Sequence, residues 1–167
     1  MKTFTFSLTI NFISNRKVKP AKGFLISRTE NAGDLPLPSR ATPESAGLDL
    51  YANIDENVLI SPGERRLVPT GIKIALPRGY EAQIRPRSGL SHKYGVTMVN
   101  APGTVDSDYR GELHVNLINW GSEPYIIQRG DRIAQMVICQ VTMAEFEESP
   151  NLPSSIRGEG GYGHTGR

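Results

Sequence analysis

Beyond about residue 17 the chain is a succession of short apolar segments separated by turn chemistry: FLIS, VLISPGE, RLVPTG, IKIALPRG, LHVNLINWG, YIIQRGD and IAQMVICQV. Apolar and polar positions alternate with period two inside these segments, and Gly, Pro, Asn and Asp bound them. That pattern predicts half-buried β-strands, and many short strands in series predict an all-β fold of the β-sandwich or jelly-roll kind. The same alternation opens the chain, with Phe4, Phe6, Leu8, Ile10 and Phe12 set between Thr3, Thr5, Ser7, Thr9 and Asn11. It predicts a strand or arm. A secretory peptide needs a continuous apolar stretch, and a mitochondrial presequence needs a helical basic face; an organelle leader and a cloning leader are the other readings of this stretch.

Composition sharpens the picture. With 17 Gly and 12 Pro in 167 residues, the backbone is punctuated too often for long helices, and the length suits one domain. No stretch approaches the roughly 18 to 20 apolar residues of a membrane helix, so a soluble protein without a membrane partner is expected. From Ser149 to Arg167, ten of 19 residues are Gly, Pro or Ser, too few apolar groups to order that tail in isolation. The expected organisation is an N-terminal extension over 1–16, a β core over 17–148 and a glycine-rich C-terminal arm over 149–167.

Charge and metal chemistry exclude several classes. Residues 1–29 carry six Lys or Arg and no acid, so the remaining 138 residues hold 13 bases and 17 acids, a balance of −4. That body lacks a field for polyanions, and a nucleic-acid partner is not expected. Cys139 is the only cysteine, which rules out an internal disulfide and a multi-cysteine zinc set and fits the cytosol. His92, His114 and His164 show no metal-binding spacing, so any metal should have oxygen ligands.

Five segments carry candidate chemistry: AGLDLYA (46–52), RPRSGLSHK (85–93), GTVDSDYRGE (103–112), RGDRIAQMV (129–137) and RGEGGYGHTG (157–166). In the second, Pro86 bars helix while Ser88 can cap a helical turn. The Ser88 hydroxyl, the unencumbered backbone of Gly89 and the Arg87 guanidinium would then form a phosphate cradle. In the third, a hairpin would hold Asp106, Asp108 and Tyr109 together. One carboxylate so fixed could act as general base on a water, and the Tyr109 ring could pack against a sugar. In the first, Asp49 lies between Leu48 and Leu50, so if the leucines face the core its carboxylate points away from it. It either caps a neighbouring strand or holds a water on a hard divalent ion such as Mg²⁺. The last segment sets Arg157, Tyr162, His164 and Thr165 among glycines, a combination suited to closing over an anionic ligand.

In this order, the five segments resemble the five motifs of the trimeric deoxyuridine triphosphatase (dUTPase) family, over roughly residues 24–166. The resemblance implies a jelly-roll homotrimer with active sites at subunit interfaces and the tail of one chain closing another's site. It implies hydrolysis of dUTP to dUMP and pyrophosphate, with water attacking the α-phosphorus and Mg²⁺ held by the triphosphate. By the same likeness Asp106 matches the general base, and Asp49 matches the acid that reaches the metal through water. Arg87, Ser88, Gly89 and Gln135 match phosphate-binding positions. A β-hairpin from Asn100 through Gly103 to Tyr109 would read the base, with Tyr109 beneath the deoxyribose. Arg157 matches a γ-phosphate contact, Tyr162 replaces the usual Phe that stacks on uracil, and His164 and Thr165 lie near the phosphates.

Besides Tyr162, and His164 where many members have Ser, two features depart from the family pattern: the first 16 or so residues lie outside its core, and Pro102 removes one N–H donor from the base-reading segment. The related dCTP deaminases need a glutamate in the pocket strand where this chain has Asn116, five residues after Gly111. A catalytically idle binding protein has less reason to keep Asp106, Tyr109 and a complete tail.

Overall fold

The computed structural model describes residues 22–164. The expected strand over Phe4–Phe12, the boundary of the N-terminal extension and Thr165 lie outside the described residues. The chain runs β1 (Leu25–Arg28), a 3-10 turn (Glu30–Ala32), β2 (Leu48–Tyr51), β3 (Val58–Ile60), β4 (Arg65–Ala75), β5 (Tyr80–Arg85), α1 (Ser88–Tyr94), β6 (Val96–Met98), β7 (Gly103–Val105), β8 (Glu112–Asn119), β9 (Tyr125–Ile127) and β10 (Arg132–Gln140).

All strand pairings among the described residues are antiparallel. One sheet has the order β1-β4-β8-β6, a second β2-β10-β5-β7, and β3 pairs with β9 in a two-stranded ribbon. The all-β sandwich expected from the alternation is the architecture found. On β8 the inward positions are Leu113, Val115 and Leu117, while Glu112, His114 and Asn116 face the other way. They meet Val68, Ile72 and Ile74 of β4 and Leu50, Ile84, Ile133 and Met136 of the second sheet in one apolar cluster. Each buried Val, Leu or Ile side chain contributes roughly 1.5–3 kcal/mol, so the cluster supplies the main drive to fold.

The only α-helix among the described residues is α1, and it starts where β5 leaves the sheet. Its cap is Arg87, in extended conformation at φ −88° and ψ 126°, and no side chain caps it. Ser88, expected as the cap, is the first helical residue. The Arg87 carbonyl already accepts the Ser91 N–H at 3.1 Å, which places the cap one residue earlier.

Past β10 the chain forms no further strand among the described residues. From Val141 to Glu159 every side chain is exposed. Phe146, Leu152, Ile156 and Tyr162 are almost wholly in solvent.

Candidate functional site: a two-arginine cleft and a separate carboxylate turn

β10 lies between β2 and β5, and this arrangement builds the first cleft. Gln135 is the register partner of Asp49 on one side and of Arg85 on the other. The expected residues of the first, second and fourth segments therefore converge. Asp49, Arg87, Ser88, Gly89, Arg132 and Gln135 line a depression of about 360 Å³.

Asp49 is largely enclosed, and both its oxygens are engaged. Arg87 Nε lies 3.2 Å from Oδ1 and Arg132 Nη1 lies 3.2 Å from Oδ2. The carboxylate thus has partners, as an acid in that setting requires. It orients two guanidinium groups that line the cleft. Arg87 is pinned further by donating from Nη1 to the Arg132 carbonyl at 3.2 Å, and Gln135 Nε2 donates to the Pro86 carbonyl at 3.0 Å. The first N–H groups of α1 have no partner within the helix. Ser88 and Gly89 bring two of them to the cleft, so the arrangement favours a polyanion.

Arg132 is absent from the residues expected on the sequence. Strict alternation would place it with Ala134 and Met136, toward the core. A register shift between Arg132 and Ala134 leaves Ile133 and Ala134 buried in succession and turns Arg132 outward to Asp49. The one available signal was Asp49 itself, an acid between leucines that needs a cation.

Arg129 holds this end of β10 in place. Its Nε donates to Asp34 Oδ2 at 2.9 Å, Nη2 to Asp34 Oδ1 and the Asn31 carbonyl at 2.6 Å, and Nη1 to Asn53 Oδ1 at 2.9 Å. The next two residues lock onto the end of β2 through Gly130 N–H to the Ala52 carbonyl, 2.9 Å, and Ala52 N–H to the Asp131 carbonyl, 2.8 Å. The Arg129 hydrogen bonds hold the Asp34 carboxyl below its ordinary value, against the opposing effect of desolvation. A depressed carboxyl contributes stability above the unfolded aspartate value, near about 4, and loses it as pH falls through the lower folded value. Thermal unfolding followed from neutral to acid pH should show a shallower acid decline for Asp34→Asn than for the unmodified protein. Equal declines would show that this pair carries no acid-sensitive stability.

The third segment lies elsewhere. Asn100 is in the β6–β7 turn, the Ala101–Pro102 peptide is cis, and Gly103 opens β7 opposite Ile84 of β5. The expected hairpin is not a hydrogen-bonded one, because β7 pairs with β5 whereas β8 pairs with β4 and β6. The turn closed by Tyr109 N–H to the Asp106 carbonyl, 3.2 Å, instead carries the chain from one sheet to the other. Asp106 and Tyr109 line a second depression of about 330 Å³ with Thr104, Glu112 and His114. Tyr109 Oη donates to the Glu112 carbonyl at 3.1 Å. The ring lies over Gly111, where a Cβ would overlap the phenol. His114 is a further lining residue that sequence reasoning passed over; its place opposite Leu113 and Val115 on β8 is the signal.

The two depressions share no lining residue. The described residues of the tail join neither. Arg157 Nε donates to the Gly160 carbonyl at 2.8 Å, His164 N–H donates to the Gly161 carbonyl at 3.1 Å, and the Tyr162 ring is fully exposed. Thus the structure brings together Asp49, Arg87, Ser88, Gly89 and Gln135. Asp106 and Tyr109 form a second group, and the tail residues stand apart.

Among the described residues, no three His, Cys, Asp or Glu side chains converge as a metal set. A directly protein-held cation does not fit Asp49, whose oxygens each face an arginine. The donor set does fit a cation that arrives on a phosphate chain and meets Asp49 through water. No helix among the described residues is long and apolar enough to cross a membrane.

The dUTPase family model matches residues 34–166. The deoxyuridine 5'-triphosphate nucleotidohydrolase of Anaplasma marginale (strain St. Maries) is 57% identical over 141 residues, 84% of this chain and 96% of that protein. The protein of the same description from Thermoanaerobacter sp. (strain X514) is 55% identical over 84% of this chain and 95% of its own length. In fold, the chain is similar to the Staphylococcus bacteriophage 80alpha dUTPase with dUPNHPP, at TM-score 0.78 and 24% identity, covering 88% of this chain and all of that one. It is also similar to a variant of the phage phi11 dUTPase of S. aureus described with a structural Mg(II) ion, at TM-score 0.69 and 23% identity over 80% of this chain and all of the other. A family model spanning most of the sequence and relatives more than half identical to it lead to one conclusion: the chain belongs to the dUTPase family.

Proposed function

We propose that this chain hydrolyses dUTP to dUMP and pyrophosphate, supplying dUMP and keeping uracil out of DNA. The observation that carries the reading is the cleft in which Asp49 aims Arg87 and Arg132 beside the free N–H groups of Ser88 and Gly89. It is a site for a phosphate chain. Asp106 and Tyr109, in a separate depression, supply a base and a sugar-packing ring. Because one chain keeps the two depressions apart, we read the working unit as a homotrimer in which neighbouring chains bring them face to face. The arm over 149–167 then closes over a neighbouring site. We place the protein in the cytoplasm, without membrane or nucleic-acid partners.

In this scheme Asp106 takes the proton from a water whose oxygen bonds to the α-phosphorus, as the bond from that phosphorus to the bridging oxygen breaks and pyrophosphate leaves. Arg87, Gln135 and the backbone N–H groups at Ser88 and Gly89 offset the charge on the phosphoryl oxygens. Mg²⁺, when bound on the triphosphate, supplies further neutralisation of that charge. Asp49 orients the two arginines and would reach such an ion only through water. The backbone from Asn100 through Gly103 to Tyr109 presents groups to uracil, whose O4 accepts and whose N3–H donates. Cytosine reverses both roles, and a site that hydrogen-bonds its substrate rejects such a mismatch strongly, because its own groups go unpaired. Tyr109 packs beneath the deoxyribose where a 2′-hydroxyl would clash. From the arm, Arg157 reaches the γ-phosphate, Tyr162 stacks on uracil, and His164 and Thr165 complete the phosphate contacts.

Pyrophosphate release compared across dUTP, dTTP, dCTP and UTP, with Mg²⁺ and with EDTA, tests the reading. Release from dUTP should exceed the others by orders of magnitude and collapse with EDTA. Equal turnover of dCTP, or ammonia from dCTP, would overturn it.

A further inference from the structure

β4 carries two more residues than β8 between the register pairs Pro69–His114 and Lys73–Glu112. The excess is taken up as a bulge, with Gly71 at φ 71°. Only glycine fits there: beyond the backbone conformation, a Cβ would overlap Ala32 and lie 2.9 Å from Asn53 Nδ2. The bulge takes the Gly71 N–H out of the ladder, and the Glu112 carboxylate accepts it at 2.7 Å. Three further bonds fix the neighbourhood. Thr29 N–H donates to the Gly71 carbonyl at 2.8 Å, and buried Thr70 Oγ1 donates to the Leu113 carbonyl at 2.8 Å. On the other side, the Glu112 carbonyl accepts the Tyr109 hydroxyl at 3.1 Å. Glu112 is therefore the link between the bulge of one strand and the aromatic floor of the second depression.

We infer that Glu112 is a positioning residue for sugar selection: by accepting the Gly71 N–H it fixes the height of the Tyr109 ring, and with it the exclusion of a ribose 2′-hydroxyl. The inference rests on the proposed dUTP reaction and goes beyond it, since that reading gives Glu112 no role. What matters is an acceptor at the right reach. The charge is incidental. Glu112→Gln keeps the reach and an acceptor oxygen while losing the charge; Glu112→Asp keeps the charge and shortens the reach by one methylene.

The test measures kcat and KM for dUTP and UTP in the full chain and both variants. Glu112→Gln should lose clearly less kcat/KM than Glu112→Asp and keep its preference for dUTP over UTP. Glu112→Asp should lose roughly tenfold in kcat/KM for dUTP, mainly through KM, and narrow the preference by a similar factor, as expected for one misplaced hydrogen bond. The inference falls if the aspartate variant keeps the full preference, even with lowered activity, or if the glutamine variant is equally impaired. Should Glu112→Asp not fold, Tyr109→Phe reads the same link from its other end: a narrowed preference supports it and an unchanged one overturns it. If the unmodified protein does not turn over dUTP at all, the proposed reaction fails independently of the variants.

Discussion

Asp106→Asn should lower kcat for dUTP by roughly 10²–10⁴-fold, the usual contribution of a positioned general base, with nucleotide binding largely intact. The expectation rests on where the side chain is held. Asp106 follows β7 in a turn closed through its own backbone carbonyl, so the carboxylate takes no part in closing the turn. Asn keeps the shape and most of the hydrogen-bonding capacity but cannot accept a proton from water at neutral pH. Turnover by rapid quench and nucleotide affinity by calorimetry separate the two effects. Loss of binding with chemistry preserved would remove Asp106 from its role and leave it as part of the sugar pocket.

Ending the chain after Asn151 should cost roughly 10²-fold or more in turnover, because the removed segment carries Arg157, Tyr162 and His164, and even one lost donor to a developing anion costs about that much. The assembly should survive. Among the described residues of the removed segment, the hydrogen bonds run within it, and Leu152, Ile156 and Tyr162 are bathed in solvent. Sedimentation gives the mass of the truncated assembly, and steady-state kinetics gives its rate. A truncated enzyme working at full speed would show that the arm does not close the site.

Much of the fold was legible because period-two alternation encodes which face of a strand is buried. LHVNLINWG became β8 with Leu113, Val115 and Leu117 inward, and IAQMVICQV falls largely within β10. What alternation does not encode is the neighbour. β7 is three residues long and its partner, β5, lies about 20 positions earlier, so the sequence suggested a local hairpin where the structure has a crossing between sheets. Bulges erase parity altogether, which is why Arg132 went unnoticed and Gly71 gave no hint of its link to Glu112. The clustering of Asp49, Arg87, Ser88, Gly89 and Gln135 came from the order of motifs and not from any local pattern. The register of β10 between β2 and β5 is its physical cause.

The absence of any shared side chain between the two depressions has an evolutionary corollary. Under the proposed function, a mutation that reshapes the backbone around β7 would alter which heterocycle is accepted without loosening the grip on the polyphosphate, and the converse would hold for the arginine pair. On that reading the scaffold is evolvable by halves: the portion that grips the anion can stay fixed while the portion that chooses the base changes, provided Asp106 keeps its place.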